Sequence, residues 1–403
     1  MHFTNSRRMG ALQGKTILLI SPQGWGRMFI SKHHYAIELA RQGNLVYFLN
    51  PPDEKKNKRS RKISIEPSGV HENLFLIYHR LSFPYDLKFH FISLFHKLMK
   101  PHIKKILRHI GRPIDIIWSF DLGNLYPFEL FPKSAKKIFH PVDEPLNQPA
   151  IQSAKGAEII FSVTQEILDK YKQFGVPIYC INHGLSGEFI LANEDYRPPG
   201  NSVRVGISGN FLRPDIDRDI MLEIITQNPL IIFECWGPFQ PKQSNIGGVE
   251  DESMIKFVEM LRQLPNVILH GAVSASSLAR EFQRMDAFLI CYDVLKDQSK
   301  GTNYHKVIEY ISTGKVVVSN NITSYQGMRD LVVMVTEREN NKELPALFRE
   351  VIDHLPSYNN QSLFDHRKSF ALNNTYQKQV ERISALLERP LKNMETSLIK
   401  EEH

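Results

Sequence analysis

The sequence predicts an α/β protein of two doubly wound, parallel-sheet domains. Three observations carry this. The chain has 403 residues, and roughly 100–200 residues per domain makes two the natural number. Short β-branched apolar runs alternate with helical periodicity, from KTILLI at 15–20 to KVVVSN at 315–320, the pattern of βαβ units. Finally, the pattern stops at the polar, proline-bearing stretch EDYRPPGNS, 194–202, and then starts afresh.

The first element is a buried strand at Thr16–Ile20, followed by the glycine-punctuated loop SPQGWG. Ser31 is placed to cap a helix running to Arg41, with Tyr35, Ala36, Leu39 and Ala40 inward. Gly43 ends it, and Asn44–Leu49 is the next strand. This βαβ unit predicts a right-handed parallel crossover. The loop carries Gly24 and Gly26 but no third glycine in register. The dinucleotide fingerprint is therefore absent, which argues against a nicotinamide cofactor.

A charged loop is expected at 53–62. Residues 78–112 then interleave Phe83, Phe89, Phe91, Leu94, Phe95 and Leu98 with lysines and arginines. Two readings stand side by side. The segment is either a helix pair with one face in the core, or a face for an anionic membrane surface. Strands follow at 115–119 and 137–140, and the second leads into PVDEP, 141–145. In open α/β sheets, loops at strand carboxyl ends hold ligands. A strand at 158–163, a helix at 165–174 and a strand–turn at 176–189 complete the first half.

The second half repeats the scheme. A strand at 204–208 turns at Gly209-Asn210 into a helix at 217–227. Strands at 231–236, 266–270 and 287–292 alternate with a helix at 276–284. The expected layout is a first domain at 1–192, a linker at 193–203, a second domain at 204–372, and a terminal helix with a charged tail at 373–403. The two halves form Rossmann-like, doubly wound domains facing across a cleft.

Hydrophobic residues make up 42% and charged residues 23%, ordinary for a globular protein with real cores. Cys180, Cys235 and Cys291 have no paired spacing, which argues against a disulfide framework and a zinc site. The opening residues lack a secretory pattern, and no run reaches the ~18 apolar residues of a spanning helix. The expectation is a cytoplasmic protein. The net charge of +7 points to an anionic partner, but no nucleic-acid motif accompanies it.

Residues 301–320, GTNYHKVIEYISTGKVVVSN, are the most informative stretch. A helix there puts His305, Lys306 and Glu309 on one rim and leaves Tyr304, Val307, Ile308 and Ile311 to pack. Gly314 reads as the C-cap glycine before a buried strand. The polar N-terminal end suits an anion such as phosphate. The alternative is a surface helix with a Lys–Glu pair.

The order SGN (208–210), PNVILHGAV, MDAFLICYD, NYHKVIEYISTGKVVVSN and NNTYQKQVERI resembles the donor-binding domain of retaining GT-B glycosyltransferases of the family 4 group. GWGRMFISKHHYAIELARQGNLVYFLNPP and AEIIFSVTQEILDKYKQFGVPIYCINHGLSGEF are similar to the branch of teichuronic-acid and exopolysaccharide glycosyltransferases. The resemblance spans nearly the whole chain.

The resemblance implies transfer of a sugar from a nucleotide diphosphosugar to a hydroxyl acceptor, with retention and without a metal or other cofactor. Glu309 then holds the ribose hydroxyls and Lys306 faces the diphosphate, with Asn303 and His305 beside it. Gly209 and Asn210 let backbone approach the phosphates, and Arg213 is either a second cation or a surface arginine. Where many relatives carry a second glutamate, eight residues before Glu309, this chain has Gly301. On the acceptor side the candidates are Gly24, Gly26, His33 and Asp143, with His140 near. For Asp143 and His140 ordinary loop capping is the alternative. The implied acceptor is a cell-surface polysaccharide or lipid-linked glycan at the inner face of the cell membrane. Two other readings are a nucleotide-sugar-binding protein without turnover and a GT-B-like epimerase or phosphorylase.

Overall fold

The computed structural model describes residues 10–26, 29–52, 63–192, 203–240 and 252–389. The expected charged loop at 53–62, the linker residues 193–202 and the tail 390–403 lie outside the described residues. The chain forms two compact units, one of residues up to Asn182 together with those from Tyr376, the other His183–Thr375. The division thus falls before the expected linker. The terminal helix Tyr376–Glu388 belongs to the first unit.

In the first unit the strands are β1 (Thr16–Ile20), β2 (Leu45–Leu49), β3 (Ser64–Pro67), β4 (Leu74–Tyr78), β5 (Ile116–Ser119), β6 (Lys136–Phe139), β7 (Ile159–Ser162) and β8 (Ile178–Cys180). They lie in the order β3-β4-β2-β1-β5-β6-β7-β8. Every neighbouring pair is parallel except β3–β4. The strand period of two sends alternate residues to opposite faces. Leu18, Ile20, Tyr47 and Leu49 pack with Phe95, Met99 and Ile103 of the helix Ile92–Ile110. Ile17, Leu19, Val46 and Phe48 pack with Tyr35 and Leu39 of the helix Ser31–Arg41 and with Val380 and Ile383 of the terminal helix. Apolar residues on both faces are what a doubly wound sheet requires.

Part of segment 78–112 therefore takes the core-packing reading. Phe95, Met99, Ile103, Ile106 and Ile110 are buried. The β3–β4 ribbon was not among the sequence expectations. Its β3 is a short edge strand that ends in Pro67, which an edge tolerates.

The second unit contains β9 (Arg204–Ser208), β10 (Ile232–Trp236), β11 (Val267–Gly271), β12 (Ala287–Ile290), β13 (Val316–Ser319) and β14 (Val333–Met334). Their order, β11-β10-β9-β12-β13-β14, is all parallel. Counted within the unit this is 3-2-1-4-5-6, with the switch point between β9 and β12. A Cβ at Gly206 would lie 2.7 Å from the Phe288 ring. Glycine there admits the ring, which stacks on Tyr310 at 4.2 Å.

Candidate functional site

Strand order alone locates the candidate ligand site of the second unit. Ligands of open α/β sheets bind outside the carboxyl ends of the strands at the switch point. β9 ends at Ser208 and runs into Gly209, while β12 ends at Ile290 and runs into Tyr292. Lys306 reaches the same place from the helix His305–Ile311. Its ammonium donates to the Ser208 carbonyl and to the Tyr292 hydroxyl, the latter at 2.5 Å. It also lies 4.8 Å from the Tyr292 ring centroid. No carboxylate pairs with Lys306 among the described residues. An ammonium has three donors, so one remains for a ligand.

Gly209 makes room for this arrangement. A Cβ there would sit 2.8 Å from the Lys306 ammonium and 3.0 Å from the Tyr292 hydroxyl. Its N–H donates to the Trp236 carbonyl at 2.9 Å, so Gly209 serves by its lack of a side chain. Asn210 folds its loop by accepting from the Leu212 N–H at 3.0 Å. Arg213 is not a loose surface cation. It pairs with Asp215 and lies 3.5 Å from Asp297, so its charge is largely offset.

The helix buries the face that the sequence predicts, but its C-cap is Ser312 rather than Gly314. Val307, Ile308, Tyr310 and Ile311 are buried. Gly314 takes φ +78, and a Cβ there would meet the Phe364 ring. Seven residues make a short helix, so the electrostatic weight rests on the Lys306 side chain rather than on the dipole. His305 Nδ1 lies 3.2 Å from a Glu309 carboxylate oxygen. Burial opposes the charged ring, but Glu309 and the Gly184 carbonyl outweigh it and hold the His305 pKa above its ordinary value. Asn303 is buried just ahead of the helix.

Gly301 explains its own identity. Its φ is +67, and a Cβ would meet the Asn321 carbonyl at 2.9 Å and Val294 at 3.0 Å. The nearby Asp297 carboxylate accepts from the Gly301 N–H at 3.1 Å and from the Tyr304 hydroxyl at 2.8 Å. Left-handed backbone and tight packing leave this position to glycine.

In the first unit the switch point lies between β1 and β5. His33 is buried. Its Nδ1 accepts from the Ile30 N–H and its Nε2 donates to the Gly24 carbonyl, both at 3.1 Å. Both ring nitrogens hold the Gly24 loop, which corrects the expectation that His33 faces a ligand. At Gly26 the nearest atom to an added Cβ among the described residues is the Gly24 carbonyl oxygen at 3.9 Å. Asp143 is exposed and accepts from the buried Lys32 ammonium at 3.0 Å. His140 sits within an aromatic cage of Tyr35, Trp118, Phe120 and Phe161.

Lys32, Tyr292 and Asp297 escaped the sequence reading. Lys32 did leave a trace. A cation in a helix's first turn opposes the macrodipole and so calls for a counterion. For Tyr292 the signal is a polar residue closing the apolar strand expected at 287–292, at the end where ligands bind.

Solved structures align over nearly the full chain. An E. coli trehalose-6-phosphate protein bound with UDP-2-fluoro glucose matches with TM-score 0.68 and 13% identity, covering 93% of this chain and 99% of that one. The Anabaena protein HepE, in complex with UDP and glucose, gives TM-score 0.61 and 13% identity over 93% and 100%. WaaG, a glycosyltransferase involved in lipopolysaccharide biosynthesis, gives 0.61 and 11% over 93% and 100%. The chain has the GT-B fold. No family model matches the sequence, and no curated protein matches it.

Proposed function

We propose that the chain transfers a sugar from a nucleotide diphosphosugar to an acceptor hydroxyl, with retention of configuration. The observation that carries this is Lys306 at the switch point of the second unit, a cation without a carboxylate partner among the described residues, set beside the side-chain-free Gly209. A diphosphate supplies the missing negative charge. Glu309, one helical turn on, offers a carboxylate that accepts two hydroxyl hydrogen bonds, as a ribose requires. Neighbours of the same fold were solved with UDP and glucose or with a UDP-sugar analogue.

In this reading the bond between the anomeric carbon and the diphosphate oxygen breaks, and the acceptor oxygen bonds to that carbon. The acceptor proton passes to the leaving phosphate on the same face. Lys306 stabilises the charge that develops on the diphosphate, the type of interaction that dominates such steps. The proposed acceptor is a cell-surface polysaccharide or lipid-linked glycan, and the affiliation is with the teichuronic-acid branch of family 4, at the cytoplasmic side of the membrane.

The test is a thermal-shift and calorimetric screen against UDP, GDP, ADP and their sugars, with Glu309→Ala in parallel. Selective stabilisation that Glu309→Ala loses supports the reading, and no response to any nucleotide overturns it. One observation favours a second reading, binding without turnover. Gly301 leaves no side chain to grip the donor sugar. Nucleotide binding with no product from any donor and acceptor pair supports that alternative.

A further inference from the structure

We propose that residues 89–94 and the basic helix behind them form a docking surface for an anionic lipid bilayer. Phe89 is 66% exposed, Phe91 63%, Leu94 46% and Ile92 39%. The short helix Leu87–His90 buries none of its residues. Six consecutive residues, four of them large and apolar, thus stand in solvent. Monomeric proteins seldom leave such a patch without a use.

The helix Ile92–Ile110 supplies the second half of the argument. Phe95, Met99, Ile103, Ile106 and Ile110 face the core. Lys97, Lys100, Lys104 and Arg108 are exposed and follow one another at steps of three and four residues, so they line the opposite side. Between positions 79 and 114 the sequence has eight lysines and arginines against one acid, Asp86. An apolar tip enters the headgroup boundary while the cations engage anionic lipid. The charge selects this occupant over a second copy of the chain, which would bring the same cations to the contact. No helix among the described residues is long and apolar enough to cross a membrane, so the contact is interfacial. The inference does not rest on the nucleotide site.

The experiment is co-sedimentation of the full chain with phosphatidylcholine vesicles, with and without phosphatidylglycerol. The variants are Phe89→Ser with Phe91→Ser, Lys100→Glu with Lys104→Glu, and, as an exposed control in the second unit, Leu230→Ser. All alter exposed side chains, and an unchanged Tm certifies the fold. The expected result is salt-sensitive binding to the anionic vesicles, lowered about tenfold or more by either double variant and unchanged by the control. Wild-type protein left in the supernatant at low salt overturns the proposal, as does equal binding to phosphatidylcholine alone. So does anionic binding that both double variants retain. Self-association on gel filtration that the Phe pair variant abolishes would assign the face to a second copy, and overturns it too.

Discussion

The Lys306 ammonium donates to the Tyr292 hydroxyl at 2.5 Å. The two side chains come from the segments after β12 and before β13, and they meet at the switch point beside β9. Lys306→Ala is expected to leave the fold intact and to weaken nucleoside diphosphate binding by about tenfold or more. Loss of a charge-assisted hydrogen bond costs ~1.5–3 kcal/mol. Tyr292→Phe keeps the ring under the ammonium and removes only the hydroxyl, so a smaller loss of a few-fold is expected. Calorimetry on the two variants checks the ranking, and equal losses would contradict it.

The glycines at this site give a second prediction. A Cβ on Gly237, at φ +136, would lie 1.7 Å from the Gly209 carbonyl oxygen. Gly237→Ala is expected to fail to fold or to lose ~3 kcal/mol or more, since backbone on both sides cannot yield. Gly209→Ala meets the end of a flexible lysine at 2.8 Å instead. That change is expected to cost ~1–2 kcal/mol of stability and a larger share of nucleotide affinity, because it displaces Lys306. Denaturant melts beside calorimetry separate the two effects.

Gly301 yields a third. Installing a glutamate there, as many members of the resembled family carry, is expected to lower stability by ~1–3 kcal/mol and not to raise activity. Its backbone is left-handed, and the Asn321 carbonyl occupies the space. A Gly301→Glu protein with unchanged Tm and faster turnover would refute this account.

How much of this was legible in the sequence follows from range. The helix at 305–311 rests on its own apolar spacing, and pattern alone placed it; its C-cap is Ser312, and the left-handed Gly314, expected as the cap, stands two residues further on. Strand order was legible only as a class, because β1 lies beside β5 and β9 beside β12 across long intervals. Lys306 was found because it shares a helix with Glu309. Tyr292 and Asp297 were missed because their partners Lys306 and Arg213 reach them through the fold rather than along a helix. His33 was misjudged for a related reason. A histidine after a glycine loop looks the same in sequence whether its ring faces a ligand or clasps the loop, and Gly24 decides it.

Acid sensitivity is the fourth prediction. Burial lowers the pKa of His33 to about 4 and those of His79 and His140 to about 3, from an ordinary 6.5. The folded pKa values are depressed, so the contribution of these rings is complete above pH 6.5. It falls as pH drops from 6.5 towards 3–4, because the unfolded chain takes up protons that the folded one refuses. Each ring costs ~1.4 kcal/mol per pH unit in that window, so the three together remove ~4 kcal/mol by about pH 5.5. His305 has the opposite sign. Its pKa is raised, so its contribution is lost as pH rises. Melting followed from pH 8 to pH 5 should show the fall, and His140→Phe, which suits the aromatic cage, should reduce its steepness.

The last prediction concerns Lys32 and Asp143. The lysine side chain is 3% exposed and that of its partner 64%. A buried ammonium that loses its counterion is costly, commonly ~3–5 kcal/mol when both partners are buried. Water already reaches Asp143, so Asp143→Asn is expected to cost less, ~1–2 kcal/mol. Lys32→Met removes the charge and keeps the stem packing, so it should be near neutral alone. Combined with Asp143→Asn it should recover the stability that the single change loses. That double-mutant cycle isolates the pair. If Asp143 instead serves the acceptor, Asp143→Asn will also raise KM for the acceptor, and Lys32→Met will not restore it. Stability recovered with KM still raised would therefore give Asp143 a second role beyond its partnership with Lys32. Recovery of both would make the pair a structural clasp at the carboxyl end of the sheet.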